Sequence, residues 1–280
     1  MTSKLLKAGV VGWPINHSLS PTIHKYWLSK YCIRGEYISL AVEKQNFKRF
    51  ITELSNGGWR GVNVTLPYKT VAMEVVDTLD PNAERMGAVN TITVQKDGTL
   101  KGSNTDGYGF LKNLEYSQSS WSVKDGPIVV LGAGGAARAI LATLTSKGCS
   151  EIRLVNRDQD KANWLAREID DKIKVYGWPD RSSVLNDVSL LINTTSLGMI
   201  GQKPLKIDLE KLPLNAVVHD IVYNPVETDL LRNARLRGNR AVDGLGMLLH
   251  QACLGFFEWF GVNPKVSEDL RNKVLNAMTN

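Results

Sequence analysis

The 280-residue sequence predicts an α/β fold of two domains, one of them a doubly wound parallel sheet. Three observations predict it. Short β-branched apolar runs alternate with helical segments along most of the chain. One such run, PIVVL (127–131), leads through a glycine turn into an alanine- and leucine-rich helix. That turn lies mid-chain, so about 107 residues stand in front of the domain that carries it and must build a unit of their own.

In order, residues 7–12 (KAGVVG) and 36–42 (EYISLAV) read as strands around a helix over about 20–31. Pro21 fits that helix's first turn, where a missing N–H costs nothing. Residues 47–54 read as helix and 61–65 (GVNVT) as strand, and Pro67 restarts a helix through about 76. Residues 88–94 and 99–101 form a hairpin around Asp97-Gly98. A linking helix over 108–116 leads through polar residues to the glycine turn and the helix at 136–147. Strands at 127–131, 151–155, 173–176, 188–192, 216–222 and 240–242 supply the doubly wound sheet. After Gly244 the chain reads as helix to the end; Leu248, Leu249, Leu254, Phe256 and Phe257 are core candidates, with Gln251 the odd polar residue. Trp13 and Trp59 are expected to pack.

Composition narrows the function. Hydrophobic content of 43% and charged content of 22% describe an ordinary globular protein. The net charge of +6 is scattered, with no basic run, which argues against nucleic acid and suits anionic small molecules. The opening MTSKLLKAGVVGWP has too short an apolar run for a signal peptide, and no stretch approaches membrane length; a cytoplasmic protein is expected. Cys32, Cys149 and Cys253 are far apart and odd in number, as free thiols are. Four scattered histidines form no metal pattern, so no metal is expected.

The glycine turn is Gly132-Ala133-Gly134-Gly135-Ala136-Ala137-Arg138. Strand, G-x-G-x-x-A and helix in that order form the dinucleotide fingerprint, in which helix N–H groups receive a pyrophosphate. The next strand ends at Asn156-Arg157, where an NAD-binding fold usually places an acidic residue for the ribose. A guanidinium suits a 2′-phosphate, so the cofactor reads as NADP, with Lys161 a second phosphate partner. Asp158 follows at once, and a carboxylate there could repel the phosphate or take the ribose hydroxyls.

Four polar clusters interrupt the first unit. Ser18 and Ser20 (NHSLSP, 16–21) are spaced to grip a carboxylate, although Ser20 also suits a helix cap. Lys69 (NVTLPYK, 63–69) falls in the first turn of the helix expected after Pro67, where the dipole would lower its pKa and suit it to proton transfer. Asn90 (GAVNT, 87–91) and Asp106 (NTDGYG, 104–109) complete the set. Reducing a ketone needs hydride on carbon and a proton on oxygen, and a Lys–carboxylate pair supplies that proton without a metal.

These motifs, with GAGGAAR (132–138), NR (156–157), NTTSLGM (193–199), DIVYNP (220–225) and DGLGMLLHQA (243–252), resemble the shikimate dehydrogenase family in composition and order. The resemblance implies an N-terminal α/β substrate domain completed by C-terminal helices (1–107 and 245–280), with an inserted Rossmann-like NADP-binding domain (108–244). It implies that Lys69 and Asp106 are the catalytic pair. Ser18 and Ser20 would hold a substrate carboxylate, Thr65, Asn90 and Gln251 its hydroxyls, and Tyr223 would line the cleft. The cofactor would lie along Gly132, Ala133, Gly134, Gly135, Ala136, Asn156, Arg157, Lys161, Thr194, Thr195, Ser196, Met199, Gly244 and Met247. The family reduces 3-dehydroshikimate to shikimate with NADPH, as a monomer or homodimer.

Two alternatives stay open on the sequence alone. Asp158 motivates an NAD-using quinate/shikimate dehydrogenase. The fold could also serve a non-catalytic ligand sensor, against which Lys69 and Asp106 argue.

Overall fold

The computed structural model describes residues 5–279; Met1–Lys4, the start of the segment read above for a leader, lie outside them, as does Asn280. The chain divides into two compact units, Met1–Thr105 with Leu249–Asn280, and Asp106–Leu248.

The first unit opens with β1 (Leu6–Gly12), α1 (Ser20–Lys30), β2 (Gly35–Ala41), α2 (Lys44–Thr52) and β3 (Trp59–Val64). Each crossover carries a helix, so β1, β2 and β3 pair in parallel. Then follow β4 (Thr78–Leu79), α3 (Pro81–Met86), β5 (Thr91–Val94) and β6 (Leu100–Ser103). The β5–β6 hairpin turns at Asp97-Gly98 as expected, and β5 joins β3 antiparallel. The sheet order is β2-β1-β3-β5-β6-β4.

The second unit runs α4 (Asp106–Ser117), β7 (Ile128–Leu131), α5 (Gly135–Ser146), β8 (Ile152–Asn156), α6 (Gln159–Ile169), β9 (Ile173–Gly177), β10 (Leu190–Asn193), β11 (Val217–Asp220), α7 (Asp229–Arg237) and β12 (Arg240–Val242). All its strands are parallel, in the order β9-β8-β7-β10-β11-β12. The chain winds outward from β7 to β9, then returns to β10 on the other side of β7 and winds the opposite way. The four-residue strands β7, β10 and β11 are buried throughout, as helix-covered parallel strands must be. This is the doubly wound sheet the sequence predicts.

Two helices close the chain, α8 (Leu245–Phe260) and α9 (Glu268–Thr279). From Leu249 onward they belong to the first unit. Leu249, Ala252, Cys253, Phe256, Trp259 and Phe260 form the buried stripe of α8. Phe257, expected in the core, falls off that 3.6-residue stripe and is 47% exposed. The Trp259 indole N–H donates to the Ile92 carbonyl at 3.1 Å. Only glycine at 61 permits this, since a Cβ there would sit 2.2 Å from the indole nitrogen. The Trp27 indole likewise donates to the Lys265 carbonyl, at 3.1 Å. Aromatic packing of α8 on α1 and β2 thus completes the first unit with C-terminal helices.

One expected helix does not form. Residues after Pro67 make turns and a single 3₁₀ segment, Val71–Glu74, rather than a helix to about 76. The Lys69 carbonyl is the reason: it accepts the Val89 N–H at 2.8 Å, and Met73 turns instead to Thr70. Lys69 therefore gains no helix dipole, contrary to expectation. The same pairing delays β5 to Thr91, three residues later than expected. The short helix α3 has no counterpart in the sequence reading, though Asp80 caps it and Gly87 ends it in the left-handed region at φ 60°. Trp59 packs on Phe50, whereas Trp13 is 47% exposed instead of packed.

Buried in the first unit, the His24 ring stacks on Tyr37 at 4.0 Å, and neither of its nitrogens has a hydrogen-bond partner. Burial pushes its pKa down from 6.5 to about 3. The unfolded chain therefore takes up a proton that the folded chain refuses, and stability falls as pH drops from about 6.5 toward 3. His24→Phe keeps the ring and removes the ionisation. Urea unfolding across this range should show a growing advantage for the variant over the unaltered chain, ~2 kcal/mol larger at about pH 5 than at neutrality. Parallel curves would refute the assignment.

Candidate functional site

In the second unit the winding reverses at the carboxyl ends of β7 and β10, the place where open α/β sheets bind ligands. Gly132 follows β7 and Thr194 follows β10, and the structure brings the two together. The Thr194 N–H and hydroxyl both donate to the Leu131 carbonyl, at 2.9 and 2.7 Å. Gly132 has φ 103°, and a Cβ on it would lie 2.9 Å from Thr194 Oγ1. Glycine is required there on both counts.

Gly134 is the N-cap of α5 and offers no side chain, so the N–H groups of Gly135 and Ala136 face outward without an intrahelical acceptor. No atom lies within 4 Å of where a Cβ on Gly134 or Gly135 would stand. Ala133 closes the turn from the core side, 6% exposed. Open donors at a helix N-terminus with no Cβ in front fit a pyrophosphate.

The end of β8 presents Asn156 and the exposed Arg157. Asn156 Nδ2 donates to the Asp158 carbonyl at 2.7 Å, which shapes the turn. Asp158 is engaged locally, where its Oδ1 accepts the Lys161 N–H at 2.9 Å and caps α6. The capping geometry accounts for this carboxylate without any ribose. Lys161 is exposed in the first turn of α6.

Hydroxyls expected along the cofactor have structural partners. Thr195 Oγ1 donates to Asn193 Oδ1 at 2.7 Å and accepts the Leu197 N–H at 3.1 Å. Ser196 and Met199 stand on the exposed rim of this turn, Met199 at 40% exposure. Tyr223 is 36% exposed just beyond β11, and partial burial pushes its phenol above the usual range. Gly244 passes so close to the Ile221 carbonyl that a Cβ would lie 2.2 Å from its oxygen. Met247 packs half-buried on the unit's core.

In the first unit the candidate substrate residues lie along a buried polar line. Ser18 Oγ accepts the Ser20 N–H at 3.4 Å at the start of α1, and Leu19, not Ser20, is the N-cap. The Ser20 hydroxyl lies against the Tyr37 phenol, which burial holds well above its ordinary range. Tyr37 donates to Asn63 Oδ1 at 2.6 Å. Asn63 Nδ2 donates to the Asn90 carbonyl at 3.2 Å and to Thr91 Oγ1 at 3.1 Å. Thr91 donates to Asn90 Oδ1 at 2.9 Å, which also accepts the Thr105 N–H at 3.0 Å. Asn90 Nδ2 donates to Thr105 Oγ1 at 3.0 Å, and the Thr105 hydroxyl donates to Gln251 Oε1 at 3.3 Å. Ser20, Asn90 and Gln251 thus join one network spanning α1, β2, β3, β5 and α8.

Lys69 and Thr65 sit at the same end of the sheet. The Lys69 carbonyl pairs with Val89 beside Asn90, and Thr65 donates its N–H to the Val11 carbonyl at 3.0 Å. Asp106, the first residue of α4, follows Thr105 directly and lies half-buried at a helix start, which favours a carboxylate. Sequence reasoning assigned no role to Tyr37, Asn63 or Thr105. For Asn63, an amide set between the apolar Val62 and Val64 of β3 was the available signal.

No group of three or more His, Cys, Asp or Glu side chains could hold a metal ion among the described residues. No helix among them is long and apolar enough to cross a membrane.

Three family models match the chain: the shikimate dehydrogenase substrate binding domain over residues 10–92, shikimate/quinate 5-dehydrogenase over 115–211, and the shikimate 5′-dehydrogenase C-terminal domain over 244–269. A shikimate dehydrogenase (NADP(+)) of Paramagnetospirillum magneticum is 50% identical over 99% of this chain and 100% of its own length. A crystal structure of a shikimate dehydrogenase in complex with NADP+ is 34% identical, with a TM-score of 0.90, covering 100% of this chain and 98% of that one. The ligand-free 5-ketofructose reductase of Gluconobacter sp. strain CHM43 is 30% identical, with a TM-score of 0.91, covering 98% and 99%. With matches across its whole length, the chain belongs to the shikimate dehydrogenase family.

Proposed function

We infer that this chain is an NADP-dependent oxidoreductase that reduces 3-dehydroshikimate reversibly to shikimate, a step of aromatic amino-acid biosynthesis. The buried polar line of the first unit carries the reading. A single polar network reaching Ser20, Asn90 and Gln251 inside an aromatic core suits a small ring bearing a carboxylate and several hydroxyls. The 50% identity to a curated NADP(+) enzyme supports the same substrate and cofactor.

Bound NADPH supplies the hydride. The chain's own residues would hold it through the N–H groups at Gly132–Ala136, with Arg157 and Lys161 on the 2′-phosphate and Asn156 on the adjoining ribose. Thr194, Thr195, Ser196, Met199, Gly244 and Met247 would line its path. Ser18 and Ser20 hold the substrate carboxylate; Thr65, Asn90 and Gln251 orient its hydroxyls; Tyr223 closes one side. Lys69 polarises the C3 carbonyl and, with Asp106, delivers the proton to its oxygen. The enzyme works in the cytoplasm as a monomer or homodimer. With Asp158 engaged as a helix cap, no observation in this chain favours an NAD-using quinate dehydrogenase.

Reduced-nicotinamide absorbance should rise when the enzyme meets shikimate and NADP+, with quinate and NAD+ both far poorer; equal or better rates with quinate and NAD+ would overturn the reading. Lys69→Ala should lower kcat by ~10²–10⁴-fold while NADPH still binds, and near-normal kcat would remove Lys69 from the chemistry. Arg157→Ala should cut the preference for NADPH over NADH ~10–100-fold, the loss of a charge-assisted phosphate contact. Asp158→Ala should instead cost ~1 kcal/mol of stability through the lost cap and leave that preference within about twofold. A change of preference in Asp158→Ala would put its carboxylate on the ribose after all.

A further inference from the structure

Asp220 ends β11 with no exposed surface, and burial raises its carboxyl from the usual range to about 6. A buried acid in a central strand end is a poor packing choice, since an apolar residue of similar volume fills the space without desolvating a charge. Its surroundings are all donors. Oδ1 accepts Asn193 Nδ2 at 2.9 Å and the Val222 N–H at 3.0 Å, and Oδ2 accepts the Thr228 hydroxyl at 2.7 Å.

Each donor sits at the root of a loop at the carboxyl end of the sheet. Asn193 ends β10, and the turn after it is wound around its amide: Oδ1 accepts the Thr195 N–H and hydroxyl, and Nδ2 also donates to the Leu197 carbonyl. An amide can face either way; an acceptor-only carboxylate beside it compels Nδ2 toward Asp220 and leaves Oδ1 for Thr195. Val222 begins the turn that carries Tyr223. Thr228 ends that turn and caps α7 by accepting the Leu231 N–H, so its hydroxyl proton must go to an acceptor. The two loops are also tied to each other, Ile200 N–H to the Asn224 carbonyl at 3.0 Å.

We propose that Asp220 is a positioning residue for hydride transfer, whose carboxylate sets the two loops carrying Thr194–Met199 and Tyr223 at the sheet's ligand-binding end. This rests on the dehydrogenase reading above. Asp220→Asn preserves shape but turns an amide N–H toward one of the three donors, which loosens at least one loop.

The test compares the unaltered enzyme and Asp220→Asn in steady-state kinetics, NADPH binding by nicotinamide fluorescence, and thermal unfolding. Displacements of about an ångström at a reacting centre cost up to ~10²-fold. The expected result is kcat lower by ~10–100-fold, NADPH binding weaker by ~3–10-fold, and the KM for shikimate raised by a few-fold as the Tyr223 loop loosens. A lower Tm with kcat and NADPH affinity unchanged in the folded enzyme would make Asp220 a stability residue only and overturn the proposal. If Asp220→Asn does not fold, Thr228→Val removes one of the three donors, and the same kinetic split, smaller in size, is expected; unchanged kcat there overturns the proposal. Failure of the unaltered enzyme to oxidise shikimate with NADP+ would overturn the dehydrogenase reading itself, whatever Asp220 does.

Discussion

A single carbonyl organises the second unit. Leu131 O receives both the N–H and the hydroxyl of Thr194, while the Gly132 N–H reaches across to the Val155 carbonyl at 2.8 Å. The glycine turn is thereby pinned from both neighbouring strands at the one place where the sheet reverses its winding. Because the turn cannot shift, the first N–H groups of α5 stay aimed outward, and no Cβ obstructs what they face. A preorganised donor set of this kind needs no rearrangement when an anion arrives, which lowers the cost of binding.

The first unit solves a different problem. It must bury polar groups inside a sheet otherwise packed by Trp27, Tyr37, Phe256 and Trp259. Unpaired buried polar groups are costly, so each member of the line is bonded to the next: Tyr37 to Asn63, Asn63 to Thr91, Thr91 to Asn90, Asn90 to Thr105, Thr105 to Gln251. Rigidity follows from satisfaction. Asn90 in particular is held from three sides, which leaves its amide little rotational freedom.

Much of this was legible in the chain. The glycine turn, the strand before it and the helix after it depend on residues adjacent in sequence, and all three stand where the pattern puts them. The strands of the doubly wound sheet were readable as apolar runs because parallel strands are covered on both faces. Failures came where a distant partner intervened. Pro67 is a sound helix signal, but the Lys69 carbonyl that a helix would need is taken by Val89. Phe257 looked like core by hydrophobicity alone and lies one step off the buried stripe. Asp158 could have served the ribose or the helix, and local spacing permits both; its bond to Lys161 N–H assigns the carboxylate to the cap.

By itself, then, the sequence determined the fold class, the dinucleotide turn, the family and the residue types the chemistry requires, since these are written in local patterns and motif order. Tertiary structure alone decided how those residues are supported. Tyr37 beneath Ser20, Thr105 beside Asn90, and Asp220 at the root of two loops are contacts between segments far apart in the chain. Hydrogen-bond partnership depends on where strands meet in space, and spacing along a chain does not encode it.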